Sequence, residues 1–404
     1  MALGLALSSG PVVAADTDGD GLRDAFEKRH GLTSHLLADS DGDGVIDAAE
    51  DHDGDDLGGR GEQRFKTDPG DRDSDDDGVP DGREDADGDG TPNAIDQHRR
   101  PLPAGVRPAP SDAFFDVAPQ APDCGVPNGE RRLDLCHFGD RESKVEVVLV
   151  GDSKATMYLP PAIVAAEQEG WHLTTMLKGR CTPVLGTMAR FQRVLDGGLS
   201  CRRWRNSAFE HLRGDPPDLI VLVFSDDYVL VDRKDRKLDE AQKRRALRTG
   251  LEATLAALPS SSQVVLLADA PRSTINAPKC LERHPRDMSA CLTLRPPASA
   301  ARIDTAIRRG VRAGGGTYRT LEDRICPYQP CPLVQGDILI YKDKGHLTVT
   351  FTEQLAPSLR AELAPFLAAP ADPQTEPPRS PLTSAAPSTE LVPDPSPTSS
   401  EPAA

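Results

Sequence analysis

The chain has 404 residues, of which 37% are hydrophobic and 27% charged, with a formal net charge of −17, and that length exceeds one typical domain. The charge is concentrated: residues 16–96 hold 27 acidic against 8 basic side chains, so the remainder is close to neutral. Such a block repels nucleic acid and anionic lipid and attracts cations, and no run approaches the roughly 18 apolar residues of a membrane span, so neither a nucleic-acid partner nor a transmembrane segment is expected.

Residues 1–15, MALGLALSSGPVVAA, are apolar and end in Val13-Ala14-Ala15, small residues of the kind that precede a signal-peptidase cut. They predict a signal-peptide remnant and export. The acidic segment, 16–96, comes next, followed by a Pro/Ala-rich linker at 97–122 and a cysteine-bearing domain at 123–368. The last stretch, 369–404, is rich in Pro, Ser and Thr, too poor in apolar area to offset its ordering entropy, and is expected to be disordered. All eight cysteines fall between 124 and 331, an even number that suits disulfides in an oxidising compartment: secreted, periplasmic or cell-surface.

Within 123–368, apolar runs of strand length alternate with amphipathic runs of helix length, the pattern of βαβ units around a parallel sheet. Strands are predicted at 144–150, 171–177, 218–224, 263–269 and 317–322, and helices near 155–169, 238–258, 298–313 and 348–367. The expected fold is a three-layer α/β/α sandwich, with ligands beyond the carboxyl ends of the strands.

The acidic segment is a repeat. Calcium takes six to eight oxygens, which the loop D-x-D-x-D-G-x-x-D-x-x-E supplies from carboxylates at positions 1, 3, 5, 9 and 12 and a carbonyl at 7, with Gly at 6 for the turn. Residues 16–27 fit throughout, with Asp16, Asp18, Asp20, the Leu22 carbonyl, Asp24 and Glu27. Residues 39–50 give Asp39, Asp41, Asp43, Val45, Asp47 and Glu50; residues 73–84 give Asp73, Asp75, Asp77, Val79, Asp81 and Glu84. Two weaker copies are 51–62 (Asp51, Asp53, Asp55, Glu62, with Asp56 where Gly is expected) and 85–96 (Asp85, Asp87, Asp89, Asn93, Asp96). The starts at 39 and 51 recur at 73 and 85, a period of 34 residues, and a disordered acidic tail would not need Gly and Asp at fixed offsets. Several structural Ca2+ ions are expected, with the array depending on them for its order and having little regular structure. The segment resembles the thrombospondin type 3 repeat and related bacterial calcium arrays.

Catalytic signals lie in the second half. The strand at 144–150 runs into Gly151-Asp152-Ser153 and then a helix, a corner where free N–H groups can hold an oxyanion; Ser153 as a simple N-cap is the other reading. Near the end of the domain, Asp343 precedes His346 by three residues, the spacing for a carboxylate to orient an imidazole that takes a serine proton. His30, His35, His52 and His98 are read as solvated, the Arg202-Arg203-Arg205 cluster as a solvated helix face, and Trp171 and Trp204 as packed in or beside the core.

Residues 124–360 resemble the SGNH/GDSL hydrolase superfamily, in particular the SGNH domains attached to bacterial membrane acyltransferases that O-acylate surface polysaccharides. The match lies in CHFGD (136–140), VVLVGDSKA (147–155), Cys181 with Cys201-x-x-Trp204, LLADAPRS (266–273), Cys280 with Cys291, and CPYQPCPLVQGDILIYKDKGHLT (326–348). The resemblance implies a flavodoxin-like α/β/α fold, Ser153 as nucleophile, His346 as general base and Asp343 as its orienter. It also implies disulfides Cys124–Cys136, Cys181–Cys201, Cys280–Cys291 and Cys326–Cys331, and the N–H groups of Ser153 and Gly179 as oxyanion donors.

Two departures stand out. Lys154 replaces the His usual after the nucleophile, a cation that could steer an anionic substrate or an oxyanion, and the superfamily's oxyanion Asn has no counterpart in Phe224-Ser225-Asp226-Asp227. The membrane acyltransferase domain is not part of the sequence, which would leave acyl supply to a soluble donor or a separate membrane partner. The expected function is therefore an exported serine esterase or O-acyltransferase acting on acyl, foremost acetyl, esters of surface carbohydrate, with no cofactor for catalysis. The alternative is a calcium-dependent surface or adhesion protein whose SGNH-like domain is catalytically retired.

Overall fold

In the computed structural model, residues 15–273, 275–292 and 299–367 are described; the expected leader, apart from Ala15, and the expected tail lie outside them. Six strands form the main sheet: β1 (Cys136–Gly139), β2 (Glu146–Gly151), β3 (His172–Leu177), β4 (Leu219–Val223), β5 (Gln263–Leu267) and β6 (Thr317–Arg319). Their order is β1-β3-β2-β4-β5-β6. Every neighbouring pair is parallel except β1 with β3. All five predicted strands are present; β1, a four-residue antiparallel edge, is added to them.

The strands are apolar at nearly every position because both faces of the sheet are covered. Val147, Leu149, Val221 and Leu267 enter one core, while Val148, Val150, Leu222 and Leu266 enter the other. Helices α1 (Ser153–Met157), α2 (Leu159–Glu169), α3 (Leu199–Gly214), α4 (Glu240–Ala257), α5 (Ser299–Ala313) and α6 (Ala356–Leu363) belong to the layers around the sheet. The predicted helix at 155–169 is two helices, because Pro160 and Pro161 occupy a fresh first turn, where a missing N–H costs nothing. The predicted helix at 348–367 is likewise divided, with Pro357 and Pro365 each opening a new segment. Helix α3 was not predicted, although it buries Cys201, Trp204, Ala208 and Leu212 along one stripe. Trp171 and Trp204 are both buried, as expected.

Arg205 departs from the solvated face expected of it. It is buried, and its guanidinium donates to the carbonyls of Thr182 and Val184. The four disulfides join the pairs the resemblance implied, and no cysteine is free. Closing loops of this size adds on the order of 2–4 kcal/mol each.

The acidic segment is irregular apart from short helical turns such as Asp24–His30 and Gly59–Phe65. It packs against the α/β unit. Val45 and Ala49 cluster with Tyr328, Gln329 N donates to Asp56 at 3.2 Å, Gln335 Nε2 donates to the Gly44 carbonyl at 3.2 Å, and Arg324 pairs with Asp43. His98, expected to be solvated, is buried beside Tyr328 with ring centroids 5.6 Å apart. Burial and then the Arg100 charge push its pKa down to about 3.

Between the array and β1, residues 97–122 place Val106, Ala113 and Ala118 in the main core.

Candidate functional site

Strand β2 ends at Gly151, where a Cβ would stand 1.9 Å from the Val223 carbonyl oxygen; only glycine lets β2 lie this close to β4 before the chain turns. Asp152 caps α1. Its Oδ1 accepts from Lys154 N at 2.9 Å, and its Oδ2 accepts from Ser225 N at 3.0 Å and from the Tyr228 hydroxyl at 2.7 Å. One buried carboxylate thus ties the turn after β2 to the turn after β4. Burial raises its pKa, against the pull of those hydrogen bonds.

Ser153 is the first residue of α1, at the carboxyl edge of the sheet. Its Oγ lies 2.9 Å from His346 Nε2, across 193 residues of sequence. His346 Nδ1 lies 2.9 Å from Asp343 Oδ2 and 3.1 Å from Oδ1. Asp343 Oδ1 also accepts from Gly345 N at 2.7 Å and His346 N at 2.8 Å. Burial pushes the Asp343 carboxyl up, but the hydrogen bonds and charge of His346 outweigh it and hold the group well below the usual carboxylate range. An ionised Asp343 fixes the tautomer that leaves Nε2 free to accept a proton from Ser153. Both His346 and Asp343 keep 28% of their side-chain surface exposed, so a substrate can reach them.

Lys154 does not project toward a ligand as the sequence reading allowed. It is 1% exposed, and its Nζ is 2.7 Å from Asp269 Oδ1 and in contact with the Gly345 carbonyl. Nothing in its sequence neighbourhood signalled Asp269 as a partner. Gly179 lies just beyond β3, with open space where a Cβ would stand. Beside the charged cluster, a cleft of about 1380 Å³ opens at the carboxyl ends of β4 and β5, lined among others by Phe224, Asp226, Tyr228, Arg272 and Lys344. Asp226 is raised to about 6, by burial first and then by the Asp269 charge.

The five acidic loops wind alike. The first carboxylate accepts a backbone N–H from within its own loop, as Asp16 does from Gly19 at 2.9 Å, Asp39 from Gly42 at 2.8 Å, Asp51 from Gly54 at 2.8 Å, Asp73 from Asp77 at 3.2 Å and Asp85 from Asp89 at 3.1 Å. The fifth accepts from the seventh residue: Leu22, Val45, Leu57, Val79 and Thr91 donate to Asp20, Asp43, Asp55, Asp77 and Asp89 at 2.6 to 2.9 Å. At the sixth position Asp56 takes φ 79°, the left-handed conformation that its four glycine counterparts adopt without strain. The ninth side chain returns to the second residue: Asp24 accepts from Thr17 N, Asp47 from Ser40 N, Asp81 from Ser74 N and Asn93 from Ala86 N.

These hydrogen bonds turn carboxylates toward one another. Oxygens of Asp16, Asp18 and Asp20 lie within 4.8 Å of one another, as do those of Asp39, Asp41 and Asp43, of Asp51, Asp53 and Asp55, and of Asp73, Asp75 and Asp77. A further group joins two loops, Asp55 and Glu62 with Asp81. Buried oxygens of Asp18, Glu27, Asp53 and Glu62 have no hydrogen-bond partner. Burial, followed by neighbouring carboxylates, raises Glu27 and Asp53 to about 7; burial raises Glu62 to about 9 despite its bond from Thr67. Converging, unpartnered carboxylates fit a hard divalent cation. The fifth loop differs: Arg99 pairs with Asp89 and, at 3.0 Å, with Asp96, so a guanidinium already supplies positive charge there.

Residues 123–361 match the family described as an SGNH domain (fused to AT3 domains). The chain belongs to the SGNH family. It is accordingly an SGNH-type enzyme, an ester hydrolase or acyltransferase. Among curated proteins, none matches the chain. Several solved structures are similar to it, the following two among them. One is the periplasmic domain of a lipopolysaccharide acetyltransferase from Salmonella ser. Paratyphi A, at 16% identity and TM-score 0.43, covering 55% of this chain and 85% of that one. The other is a carbohydrate esterase family 2 enzyme with a carbohydrate-binding domain from Corynascus thermopiles (Myceliophthora fergusii), at 14% identity and TM-score 0.32, covering 56% of this chain and 67% of that one.

Proposed function

We propose that this SGNH enzyme is exported and cleaves or transfers acyl groups, foremost acetyl, on surface carbohydrate through Ser153, His346 and Asp343. The observation that carries the reading is the unbroken chain of contacts from Ser153 Oγ to His346 Nε2 at 2.9 Å and from His346 Nδ1 to Asp343 at 2.9 Å.

Ser153 Oγ attacks the acyl carbonyl as His346 Nε2 takes its proton. The Ser153 and Gly179 N–H groups receive the oxyanion. As the tetrahedral centre collapses, the imidazolium returns the proton to the departing sugar oxygen, leaving an acyl-serine. Water or an acceptor hydroxyl then gives its proton to His346 and attacks the acyl-serine, regenerating Ser153. The ionised Asp343 stabilises the imidazolium throughout. In transfer, the acyl group reaches Ser153 from a soluble donor or a separate membrane acyltransferase.

Four disulfides with no free cysteine support an oxidising compartment, and no helix among the described residues is long and apolar enough to cross a membrane. The acidic loops are the proposed home of several Ca2+ ions held by the carboxylates named above, a structural module resembling thrombospondin type 3 repeats.

Hydrolysis of p-nitrophenyl acetate by the full chain and by Ser153→Ala tests the reading. The wild type is expected to turn over and the variant to fall to the uncatalysed rate; equal rates for the two would remove the serine mechanism.

A further inference from the structure

Lys154 follows the proposed nucleophile, yet its side chain turns away from the cleft into the protein. A buried ammonium is retained only where opposite charge and acceptors surround it. Here Asp269, two residues beyond β5, supplies the charge at 2.7 Å, and the Gly345 carbonyl supplies an acceptor. Beyond Lys154, Asp269 has little else: Arg272 Nε stands off at 3.9 Å.

Stability alone is a weak reason for such a pair, since apolar side chains of similar volume often serve as well. What an apolar residue cannot provide is a bond to the Gly345 carbonyl. Gly345 immediately precedes His346, and Lys154 immediately follows Ser153. The loop 342–346 is knit internally, by Asp343 accepting from Gly345 and His346 and by Lys342 N donating to the His346 carbonyl. Those bonds shape the loop without setting its distance from α1. Besides the Ser153–His346 bond itself, two contacts join α1 to this loop region: Lys154 Nζ on Gly345, and Met157 Sδ, 3.1 Å from Leu347 N.

We propose that Lys154 is a positioning residue, with Asp269 as its counter-charge, which locks the Gly345–His346 peptide to the nucleophile helix and so sets the separation of Ser153 Oγ and His346 Nε2. The proposal rests on the triad reading above and adds a residue that touches no reacting atom. It also gives the Lys at this position a task different from steering a substrate.

Lys154→Met alone strands a buried carboxylate and can fail to fold, so the informative variant is Lys154→Met/Asp269→Asn, which neutralises both partners and keeps their size. With p-nitrophenyl acetate, KM is expected to stay at the wild-type value while kcat falls by about 10²-fold, the scale of a misplacement near 1 Å. The rate at which a fluorophosphonate labels Ser153 should fall by a similar factor. The downfield His346 Nδ1 proton, a resonance of the bond inside the loop, should persist, whereas general loosening would abolish it. A kcat within twofold of wild type overturns the proposal, as does joint loss of the Nδ1 resonance and the cooperative unfolding transition. If the wild type neither turns over nor labels, the acyl-transfer reading falls by itself; crystals of the double variant then decide the positioning claim. Oγ and Nε2 moving beyond about 3.5 Å, out of hydrogen-bond reach, support it, and a separation unchanged from 2.9 Å overturns it.

Discussion

Residues 16–96 bury Asp20, Glu27, Asp55 and Glu62, whereas the sheet of the SGNH domain buries Val148, Val150, Leu222 and Leu266. Hydrocarbon gains from leaving water, by about 25 cal/mol for each Å². A carboxylate loses by it, at an effective cost of several kcal/mol for each unpaired ion. On the proposed reading the first region draws its stability from cations outside its own sequence, and the second contains its stabilisation, in two cores and four disulfides. The contacts of Val45, Asp43 and Asp56 with Tyr328, Arg324 and Gln329 join the two.

The comparison can be strained at several points. The largest effect is expected inside the SGNH domain without any loss of fold: Asp343→Asn should lower kcat by about 10⁴-fold, because the amide favours the wrong imidazole tautomer. Assay with p-nitrophenyl acetate beside a circular dichroism spectrum checks this, and a drop below tenfold would detach Asp343 from the chemistry. Next in size is calcium removal. Chelation of the full chain should erase hydrogen-exchange protection in 16–96 while β2 and β4 stay protected; an array indifferent to the chelator would mean that its carboxylates are reconciled some other way.

Removing a staple is a smaller change. Cys181→Ala/Cys201→Ala should cost the SGNH domain about 2–4 kcal/mol in denaturant unfolding and leave the calcium response of the array untouched. The smallest effect concerns Lys66, which ends the helix Gly59–Phe65 in the left-handed region at φ 69°. Lys66→Gly should stabilise the array by roughly 0.5–1 kcal/mol, read as a higher midpoint for its calcium-dependent transition; a lower midpoint would show that the Lys66 side chain matters more than its backbone.

Much of the SGNH domain could be read from its sequence because a sheet covered on both faces needs unbroken apolar strands, and KVEVVLV or DLIVLVF can be little else. Strand β1 escaped because CHFG is short and carries no β-branched residue. Helix α3 escaped because its arginines mask the stripe from Cys201 to Leu212. Ser153 and the Asp343–His346 pair were legible because each half has a local form: a strand-to-helix corner, and a carboxylate one turn from an imidazole. The Lys154–Asp269–Gly345 junction has none. It exists only once β2 and β5, on either side of β4, bring their carboxyl ends to one edge of the sheet, and sequence distance conceals that. The array was legible as loops, since its pattern is local, but the return of the ninth side chain to the second residue in four of the five loops and the Arg99 guanidinium in the fifth loop required coordinates.

The central claim is that folding makes the Ser153 hydroxyl a nucleophile by placing it on His346. The direct measurement is mass spectrometry of the intact, disulfide-bonded protein after exposure to a fluorophosphonate. The account predicts one adduct, mapped to Ser153, that disappears in His346→Ala. A folded wild type that takes up no adduct, or one that labels equally well without the imidazole, would contradict it.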